Sequence, residues 1–238
     1  MLILAFDTTN EHGGAGLFRD SQCLAMSAHE GPPDYSVTLF QEVAALLAKA
    51  NVQFAEVDLI AAANGPGSFT GIRVGIAAAQ GWASTFNRPM RGVSVLEAMV
   101  DEAHPDTPKA AAIMDARRGE FYCAVFRLIR PSSSNSGPAF EAETDGFVLK
   151  AQELPAFLQP HGSEQNSLTC VVRENDEAAR SLQGTLPASY LWRVVQGTLV
   201  PAIARVAVRS YGEKRPPSPN ELYAYYIRHP DVEANWKG

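Results

Sequence analysis

Two carboxylates, each at the end of an apolar run, are the residues best placed to do chemistry. Asp7 ends the first such run and is followed by Thr8 and Thr9, and Asp115 ends a comparable run later in the chain. A carboxylate with neighbouring hydroxyl groups could hold a metal-bound phosphate. The alternative is that each aspartate caps its own turn, which an Asp at a strand end often does.

Taken together, the two aspartates suggest a nucleotide site between two lobes. Two such aspartates facing each other across a cleft are the plan of the actin and sugar-kinase group. An adenosine would also need a glycine pair after the later strand, so that the backbone could approach it closely. Residues 172–175, Val-Arg-Glu-Asn, stand there instead. ATP turnover is therefore the less favoured interpretation of this pair.

A glycine-rich loop at residues 65–71 lies between an apolar run and a helical pattern, which predicts a tight strand-to-helix turn. Exposed N–H groups at a helix start favour anions. The Walker pattern, however, requires Gly-Lys-Ser/Thr, and here Gly71 is followed by Ile72 and Arg73. A structural turn is therefore favoured over nucleotide binding by this loop alone.

Metal binding and nucleophilic catalysis find little support in the residue spacing. No two of the five histidines stand three or four positions apart, and the three cysteines form no C-x-x-C pair. Cys23 and Cys123 alternate with apolar residues on predicted strands, so we expect both in the core. Ser68 does not stand in the Gly-x-Ser-x-Gly elbow, because two residues separate it from Gly71.

Composition and charge limit the classes of function. The chain has 238 residues, of which 46% are apolar, enough for one large or two small domains. A net charge of −6 argues against a broad basic surface that would bind nucleic acid unaided. Arg117 and Arg118 could reach a phosphate or a carboxylate, although an exposed turn is the commoner outcome. The three cysteines are widely spaced and odd in number, which fits a reducing cytoplasm. We expect neither a signal peptide nor a membrane-spanning segment.

The elements that must position these residues follow from apolar periodicity. Strands of the first lobe are expected at residues 2–6, 13–19, 22–28, 57–63 and 90–93. Helices are expected with Ser36 as an N-cap, from near Gly71, and from Ser94. The order βββαβαβα predicts a mixed sheet with helices on its faces.

The prolines at residues 105–108 predict a hinge between two lobes. The first lobe is expected at residues 1–104, completed by the tail at 218–238, and the second at 109–217. The second lobe partly repeats the first, because it opens with an apolar strand, an aspartate, a polar turn and another strand. Its elements are expected at residues 109–115, 120–128, 147–150, 152–158, 168–173, 177–182 and 198–211. The aromatic tail should pack back on the body.

Two helices of the first lobe carry more apolar surface than one face can hide. The helix after Ser36 has a broad apolar stripe, and the helix after Gly71 is apolar nearly all round. Small residues on the second helix would let another helix approach its backbone closely. We therefore expect this pair to be covered by something outside its own lobe.

Several sequence blocks resemble the TsaB, or YeaZ-type, family of bacterial subunits. The blocks are residues 4–9, 65–75, 92–98, 115–122 and the tail at 224–228. The resemblance is close over the first lobe and the start of the second, and loose over residues 131–217. One departure is Tyr35-Ser36, where the family usually has His-Ser; a packing or interface role survives that exchange more easily than proton transfer. The serine-rich loop at residues 131–138 also departs, and we assign it no function.

The resemblance implies an α/β, two-lobed actin-like fold of the ASKHA, ribonuclease H-like class, with mixed sheets flanked by helices. It implies a non-catalytic dimerisation or scaffold subunit that binds and activates a TsaD-type threonylcarbamoyltransferase, which modifies N6 of adenosine 37 in tRNAs reading ANN codons. The implied partners are the TsaD-type subunit, a TsaE-type ATPase and, when the chain is alone, a second copy. tRNA is reached only through the complex. No cofactor is assigned to the chain itself, and an adenine nucleotide at the complex interface is left open.

In such proteins the two helices that flank the fourth strand form the dimer interface. The interface residues expected here are Leu39, Phe40, Val43, Leu47, Gly71, Val74, Gly75, Ala78 and Trp82. A vestigial phosphate-binding set is expected at Asp7, Thr8, Thr9 and Asp115, with no catalytic or metal-binding residue. The alternative function is an actin-like-fold ATPase or small-molecule kinase that uses Asp7 and Asp115. A third, an M22-type peptidase, is disfavoured by the missing metal ligands.

Overall fold

A computed structural model describes residues 1–20, 22–29, 34–129, 139–162, 167–213, 223–225 and 227. The chain divides into two compact units. Unit 1 comprises Met1–Glu102 and Gln196–Ala224, and unit 2 comprises Ala103–Val195 and Tyr225–Gly238. Among the helices within the described ranges, none has the length and apolar character needed to cross a membrane.

The sheet of unit 1 has five strands. They are β1 (Leu2–Asp7), β2 (Gly14–Arg19), β3 (Gln22–Ala28), β4 (Leu59–Gly65) and β5 (Met90–Ser94), in the spatial order β3-β2-β1-β4-β5. β1, β2 and β3 pair antiparallel, whereas β1, β4 and β5 pair parallel. The predicted meander and mixed sheet are confirmed. All residues of the central strand β1 are buried, as its continuous apolar run predicts.

Among the described residues, three α-helices and a short 3-10 helix (Phe54–Glu56) of unit 1 precede the second unit in the chain. The α-helices are α1 (Tyr35–Ala50), α2 (Phe69–Phe86) and α3 (Val95–Ala103). The N-cap of α1 is Asp34 and not Ser36, because the Asp34 carboxylate accepts a hydrogen bond from the Ser36 N–H at 3.1 Å. α2 begins two residues before Gly71. Its N-cap is Ser68.

Over its described residues, unit 2 contains a six-stranded sheet, two short α-helices and a 3-10 helix at Leu182–Gly184. Its strands and α-helices are β6 (Lys109–Asp115), β7 (Glu120–Ile129), β8 (Ala139–Ala142), β9 (Phe147–Lys150), α4 (Leu154–Leu158), β10 (Leu168–Arg173), α5 (Glu177–Ser181) and β11 (Leu191–Val195). The spatial order is β11-β10-β6-β7-β8, and β9 also pairs with β7. β8 and β11 were not predicted, and both lie at ends of this order.

α6 (Val200–Glu213) lies in unit 1 although it follows every strand of unit 2 in the chain. It packs on β1, β2, β4 and β5. Its buried side chains are Val200, Ala202, Ile203, Ala204, Val206 and Ala207. This division differs from the predicted limits, which placed the helix in the second lobe. Helical periodicity identifies an amphipathic helix but not the sheet that it covers.

The tail and the cysteines give two smaller outcomes. Asn64 Nδ2 donates to the Tyr223 carbonyl at 3.3 Å, and the Gly146 N–H donates to the Tyr225 hydroxyl at 2.8 Å, so the described part of the tail does contact the body. The rest of residues 218–238 lies outside the described residues, as do the serine-rich residues 131–138. Cys123 is buried as expected, whereas Cys23 is exposed because β3 is an edge strand.

Candidate functional site

The carboxylate of Asp7 is fully buried and accepts hydrogen bonds from the turn that directly follows it. Its Oδ1 accepts hydrogen bonds from the Thr9 N–H at 2.8 Å and the Thr9 hydroxyl at 2.6 Å, and its Oδ2 accepts one from Asn10 Nδ2 at 2.8 Å. The chain itself therefore supplies donors to both oxygens. This geometry favours turn capping over phosphate binding.

The start of α2 packs directly on the residue after Asp7. The Thr8 hydroxyl donates to the Gly71 carbonyl at 2.7 Å. A Cβ on Gly71 would lie 1.9 Å from the Thr8 carbonyl oxygen, and one on Gly75 would lie 2.4 Å from Thr8 Oγ1. The close neighbour of these two glycines is therefore Thr8. The sequence analysis had expected a second helix at this position. Their small size serves the folding of unit 1.

The glycine-rich loop is held to the same turn. The Ser68 N–H donates to the Thr9 carbonyl at 2.7 Å, and the Ser68 hydroxyl accepts from the Gly71 N–H at 3.3 Å. Gly67 has a φ of 157°, and a Cβ there would lie 2.4 Å from the Thr9 carbonyl oxygen. These contacts favour the packed structural turn over a phosphate cradle.

Asp115 makes the corresponding contact at the end of β6. Its Oδ1 accepts a hydrogen bond from the Arg117 N–H at 2.7 Å. Its own N–H donates to Asp176 Oδ2 at 2.7 Å, and Asp176 Oδ1 in turn caps α5 by accepting from the Ala179 N–H at 2.8 Å. Asp115 is thus a turn-capping residue in unit 2. That it faces Asp7 across a cleft stays a prediction.

Five of the nine predicted interface residues lie inside unit 1. Leu39 and Val43 are 0% and 2% exposed, because this side of α1 packs on β2 and β3. Gly71, Gly75 and Ala78 are buried as well. The residues of the predicted set that reach the surface are Phe40, Leu47, Val74 and Trp82.

A row of aromatic rings lies at the surface where α1 and α2 meet. The ring centroids of Phe40 and Trp82 are 5.1 Å apart, those of Trp82 and Phe54 are 5.4 Å apart, and those of Phe54 and Phe86 are 4.4 Å apart. Trp82 also meets the fully buried ring of Phe6 at 5.7 Å, which anchors the row in the core. We call Phe40, Phe54, Trp82 and Phe86 the aromatic row.

The aromatic row and its surroundings are exposed for such apolar side chains. Phe40 is 52% exposed, Phe86 is 36% exposed, and the neighbouring Val37 is 57% exposed. Full burial of a Phe or Val side chain stabilises a protein by about 1.5–3 kcal/mol, and here much of that stabilisation is not realised. Contiguous exposed apolar side chains of this kind are typical of an interaction surface.

The sequence analysis missed Val37, Phe54 and Phe86 as members of this surface. Phe86 could have been found, because it stands four positions after Trp82 on the same helix face. Phe54 lies in a short 3-10 helix between α1 and β4. Helical periodicity could not connect Phe54 with the rings of α2, because the chain reverses between them.

Tyr35 is buried at the start of α1. Its hydroxyl donates to the Asn10 carbonyl at 2.9 Å, and its ring meets His29 edge-on at a centroid distance of 5.3 Å. His29 Nε2 lies 2.7 Å from Glu42 Oε1, also on α1. Tyr35 therefore joins α1 to the turn after β1, which supports the packing role.

Acidic side chains of α3 meet two arginines of α6. Asp101 is 2% exposed and lies 2.8 Å from Arg205 Nε and 2.5 Å from Arg209 Nη2. Arg205 Nη2 also donates to Glu102 at 2.6 Å. Burial raises the pKa of Glu97 to about 7, against the opposing charge of Arg209 and with the help of Asp101. These ion pairs hold α6 on unit 1.

Over the part of the chain that the structure describes, no three His, Cys, Asp or Glu side chains are grouped so that they could hold a metal ion.

Comparisons with known proteins agree with the resemblance noted in the sequence. The family model of TsaD, tRNA N6-adenosine threonylcarbamoyltransferase, matches residues 32–156. The chain is 34% identical over 131 residues to the tRNA threonylcarbamoyladenosine biosynthesis protein TsaB of Escherichia coli K12, and 32% identical over 127 residues to that of Bacillus subtilis 168. Each match covers 53% of this chain, and 55% and 56% of the relatives. The chain thus spans about half the length of these curated relatives.

Two further matches cover most of the chain. An uncharacterized protein of Mycobacterium tuberculosis H37Rv is 30% identical over 209 residues, which are 85% of this chain and 91% of that protein. The solved structure of YeaZ from Pseudomonas aeruginosa has a TM-score of 0.76 at 21% identity, over 94% of this chain and 99% of that one. This likeness shows a shared fold. The two mixed sheets flanked by helices confirm the predicted α/β class.

Proposed function

The chain belongs to the TsaB, or YeaZ-type, branch of the TsaD family, and from this premise we propose that it serves the biosynthesis of threonylcarbamoyladenosine in tRNA. Its role is that of a non-catalytic scaffold subunit that binds and activates a TsaD-type threonylcarbamoyltransferase. That partner modifies N6 of adenosine 37 in tRNAs that read ANN codons. The exposed aromatic row between α1 and α2 is the observation that carries the proposal.

The aromatic row has the properties of a protein-binding surface. Its rings are in contact with one another, and Trp82 fixes them to the buried Phe6, so the surface is already ordered before a partner arrives. A preformed surface loses little side-chain entropy on binding. Phe40, Leu47 and Val74 add apolar area that a partner helix would remove from water, at about 25 cal/mol per Å².

Turn geometry supports a scaffold role over catalysis by this chain. Both oxygens of Asp7 accept hydrogen bonds from the residues that directly follow, and the start of α2 is packed against Thr8. A phosphate-binding carboxylate would have to give up those bonds. The alternative of an ATPase or kinase that uses Asp7 and Asp115 predicts tight calorimetric binding of Mg-ATP that is lost in Asp7→Asn.

The same surface can serve more than one protein partner. We expect the chain to pair with a second copy through the aromatic row when it is alone, and with the TsaD-type subunit when that subunit is present. A TsaE-type ATPase joins the resulting assembly. tRNA is modified by the assembly and not by this chain alone.

Association measurements on a matched pair of Phe→Ala variants test this function. Phe40→Ala removes an exposed ring from the aromatic row, whereas Phe147→Ala removes a 42%-exposed ring from β9 in unit 2. We expect Phe40→Ala to weaken binding to the TsaD-type subunit by at least about tenfold in titration calorimetry, because it removes exposed apolar area and the ring that packs against Trp82. Phe147→Ala should bind as the wild type does.

Sedimentation of each variant alone measures self-association in the same way. Circular dichroism controls for folding, and Phe40 is exposed enough that its loss should leave the fold intact. If folded Phe40→Ala binds the TsaD-type subunit as tightly as the wild type, the proposed surface is wrong.

A further inference from the structure

The hairpin between β6 and β7 presents two arginines at an exposed tip. The Arg117 side chain is 86% exposed, Arg118 is exposed beside it, and a Cβ built on Gly119 would meet no atom within 4 Å. The flanking acids Asp115 and Glu120 are less exposed than the arginines. The outermost charges of the tip are therefore positive, in a chain whose net charge is −6. We call Arg117 and Arg118 the arginine tip.

The backbone of the arginine tip has an unusual conformation. Arg117, Arg118 and Gly119 have consecutive φ values of 66°, 58° and 73°. A left-handed backbone costs a residue with a side chain roughly 1–2 kcal/mol, and glycine or asparagine is the usual choice there. Two arginines at such positions therefore lower the stability of the hairpin. Backbone strain of this kind is most often found at functional sites, which draws attention to these two side chains.

Specific hydrogen bonds maintain this conformation. Asp115 Oδ1 accepts from the Arg117 N–H at 2.7 Å, the Ala116 N–H donates to the Glu120 carbonyl at 2.8 Å, and the Glu120 N–H donates to the Arg117 carbonyl at 3.1 Å. Asp176 holds the base of the hairpin through the Asp115 N–H at 2.7 Å. Arg117 Nη1 also lies 3.7 Å from Asp115 Oδ2, so a nearby carboxylate offsets part of its charge, although the Arg117 side chain stays 86% exposed. Both arginine side chains are thus exposed on an ordered turn.

We propose that the arginine tip binds phosphate groups of an RNA backbone. A guanidinium group is planar, always charged, and able to donate two parallel hydrogen bonds to one phosphate. Two adjacent guanidinium groups on one rigid turn can contact neighbouring phosphates of the same strand. The choice of RNA as the source of the phosphates rests on the proposed function. The electrostatic argument itself depends only on the tip.

The size of the site limits what it can do. Two phosphate contacts give weak, sequence-independent binding, which agrees with the acidic net charge of the chain. The arginine tip would therefore orient an RNA that other components also hold. Its distinguishing property is a salt dependence that falls when the arginines are removed, by about 0.7–0.9 in the slope of log K against log salt for each lost contact.

The test compares two double variants that remove the same charge. Arg117→Asn with Arg118→Asn replaces the tip by a residue that suits a left-handed backbone, so the fold should be unchanged or slightly more stable. Arg127→Asn with Arg193→Asn removes two other exposed arginines of unit 2, which pair with Glu141 and Asp106. Binding of a fluorescent tRNA transcript to the full chain is measured by anisotropy at several salt concentrations.

The measurement is made with the chain alone and with the TsaD-type subunit added. We expect the tip variant to lose roughly tenfold in affinity, with the salt slope reduced by about 1.4–1.8. The control variant should bind as the wild type does. The tip variant should still bind the TsaD-type subunit, because the aromatic row is intact.

Three results would overturn the proposal. The wild-type chain could bind no transcript in either setting, or the tip variant could bind like the wild type. Both double variants could lose affinity equally, which would indicate net charge and not the tip. A competition experiment adds a fourth result. Polyglutamate and a polyphosphate of equal charge are each used to displace the transcript. If the two competitors are equally effective, the arginine tip is a contact for acidic proteins and not for RNA. Loss of the proposed function would appear separately, as failure to bind the TsaD-type subunit.

Discussion

Asp7 in unit 1 and Asp115 in unit 2 each end a central strand, and each accepts a hydrogen bond from the N–H group two residues further on. The two distances are 2.8 Å and 2.7 Å. Around Asp7, the start of α2 covers the turn and the carboxylate is fully buried. At Asp115, the turn is an open hairpin and the side chain is 23% exposed.

The difference shows that a repeated sequence pattern can reproduce a turn without reproducing a site. An apolar strand, an aspartate and a polar segment are enough to form each turn. What covers the turn depends on residues far away in the chain. In unit 1, Gly71 and Gly75 let α2 come against Thr8, whereas in unit 2 Gly119 faces open space. We therefore infer a structural role for the first turn and a contact role for the second.

Matched glycine substitutions should give the largest contrast between the two turns. Gly71→Ala puts a Cβ 1.9 Å from the Thr8 carbonyl oxygen, which is backbone and cannot move without breaking the contact of α2 with β1. We expect a loss of at least about 4 kcal/mol in the free energy of unfolding. Gly119→Ala meets only the cost of its positive φ, about 1–2 kcal/mol. Urea unfolding followed by circular dichroism measures both, and equal losses would remove the distinction.

The same contrast should appear, more weakly, for the aspartates themselves. In Asp7→Asn a fully buried side chain must place an NH₂ group among donors from Thr9 and Asn10. We expect a loss of roughly 3 kcal/mol, against roughly 1 kcal/mol for Asp115→Asn, whose surroundings are partly hydrated. Chemical denaturation gives the values. A smaller effect at Asp7 than at Asp115 would contradict the turn-capping account.

One glutamate in each unit should make the stability of the fold depend on pH, with opposite signs. Burial raises the pKa of Glu97 in unit 1 to about 7. Between pH 5 and 7 the folded chain therefore keeps a proton on Glu97 that the unfolded chain has lost. The charged form is disfavoured in the fold, and Glu97→Gln should therefore raise stability at pH 8 by roughly 2–3 kcal/mol and leave it unchanged near pH 4. Melting temperatures across this range are the measurement.

Glu143 in unit 2 should show the opposite sign. A hydrogen bond from Lys109 lowers the pKa of Glu143, against its partial burial and with the help of His161. Its charge stabilises the fold above the ordinary carboxyl pKa, and that stabilisation is lost as the pH falls through the lowered value. Glu143→Gln should lower the melting temperature at pH 7, by an amount that shrinks in acid. The same sign for both variants would refute the assigned environments.

Most strands could be predicted from the sequence, and the exceptions have a common cause. β3, β6, β9 and β10 have the predicted bounds, because their apolar residues are bounded by turn-forming residues. β8 and β11 were missed because each buries only one residue, Phe140 in β8 and Val195 in β11, and so carries almost no apolar pattern. In β11, Leu191 and Val194 are both exposed, so no inward and outward alternation is present to indicate a strand.

The candidate site could be predicted only in part. The sequence indicates that α1 and α2 are too apolar to stand alone, but not which of their apolar residues face their own sheet. Leu39 and Gly75 face inward, whereas Phe40 faces outward, and only the packing on β1, β2 and β3 decides this. The position of Phe54 beside Trp82 depends on the chain reversal between α1 and β4.

Hydroxyl-radical footprinting of the full chain, with and without the TsaD-type subunit, tests the central claim most directly. It reports the solvent access of individual aromatic side chains, and Phe147 in unit 2 serves as the internal reference. If the aromatic row is the contact surface, oxidation of Phe40 and Trp82 should fall severalfold in the complex while that of Phe147 is unchanged. Unaltered oxidation of Phe40 and Trp82 in a mixture that sedimentation shows to be fully complexed would contradict the account.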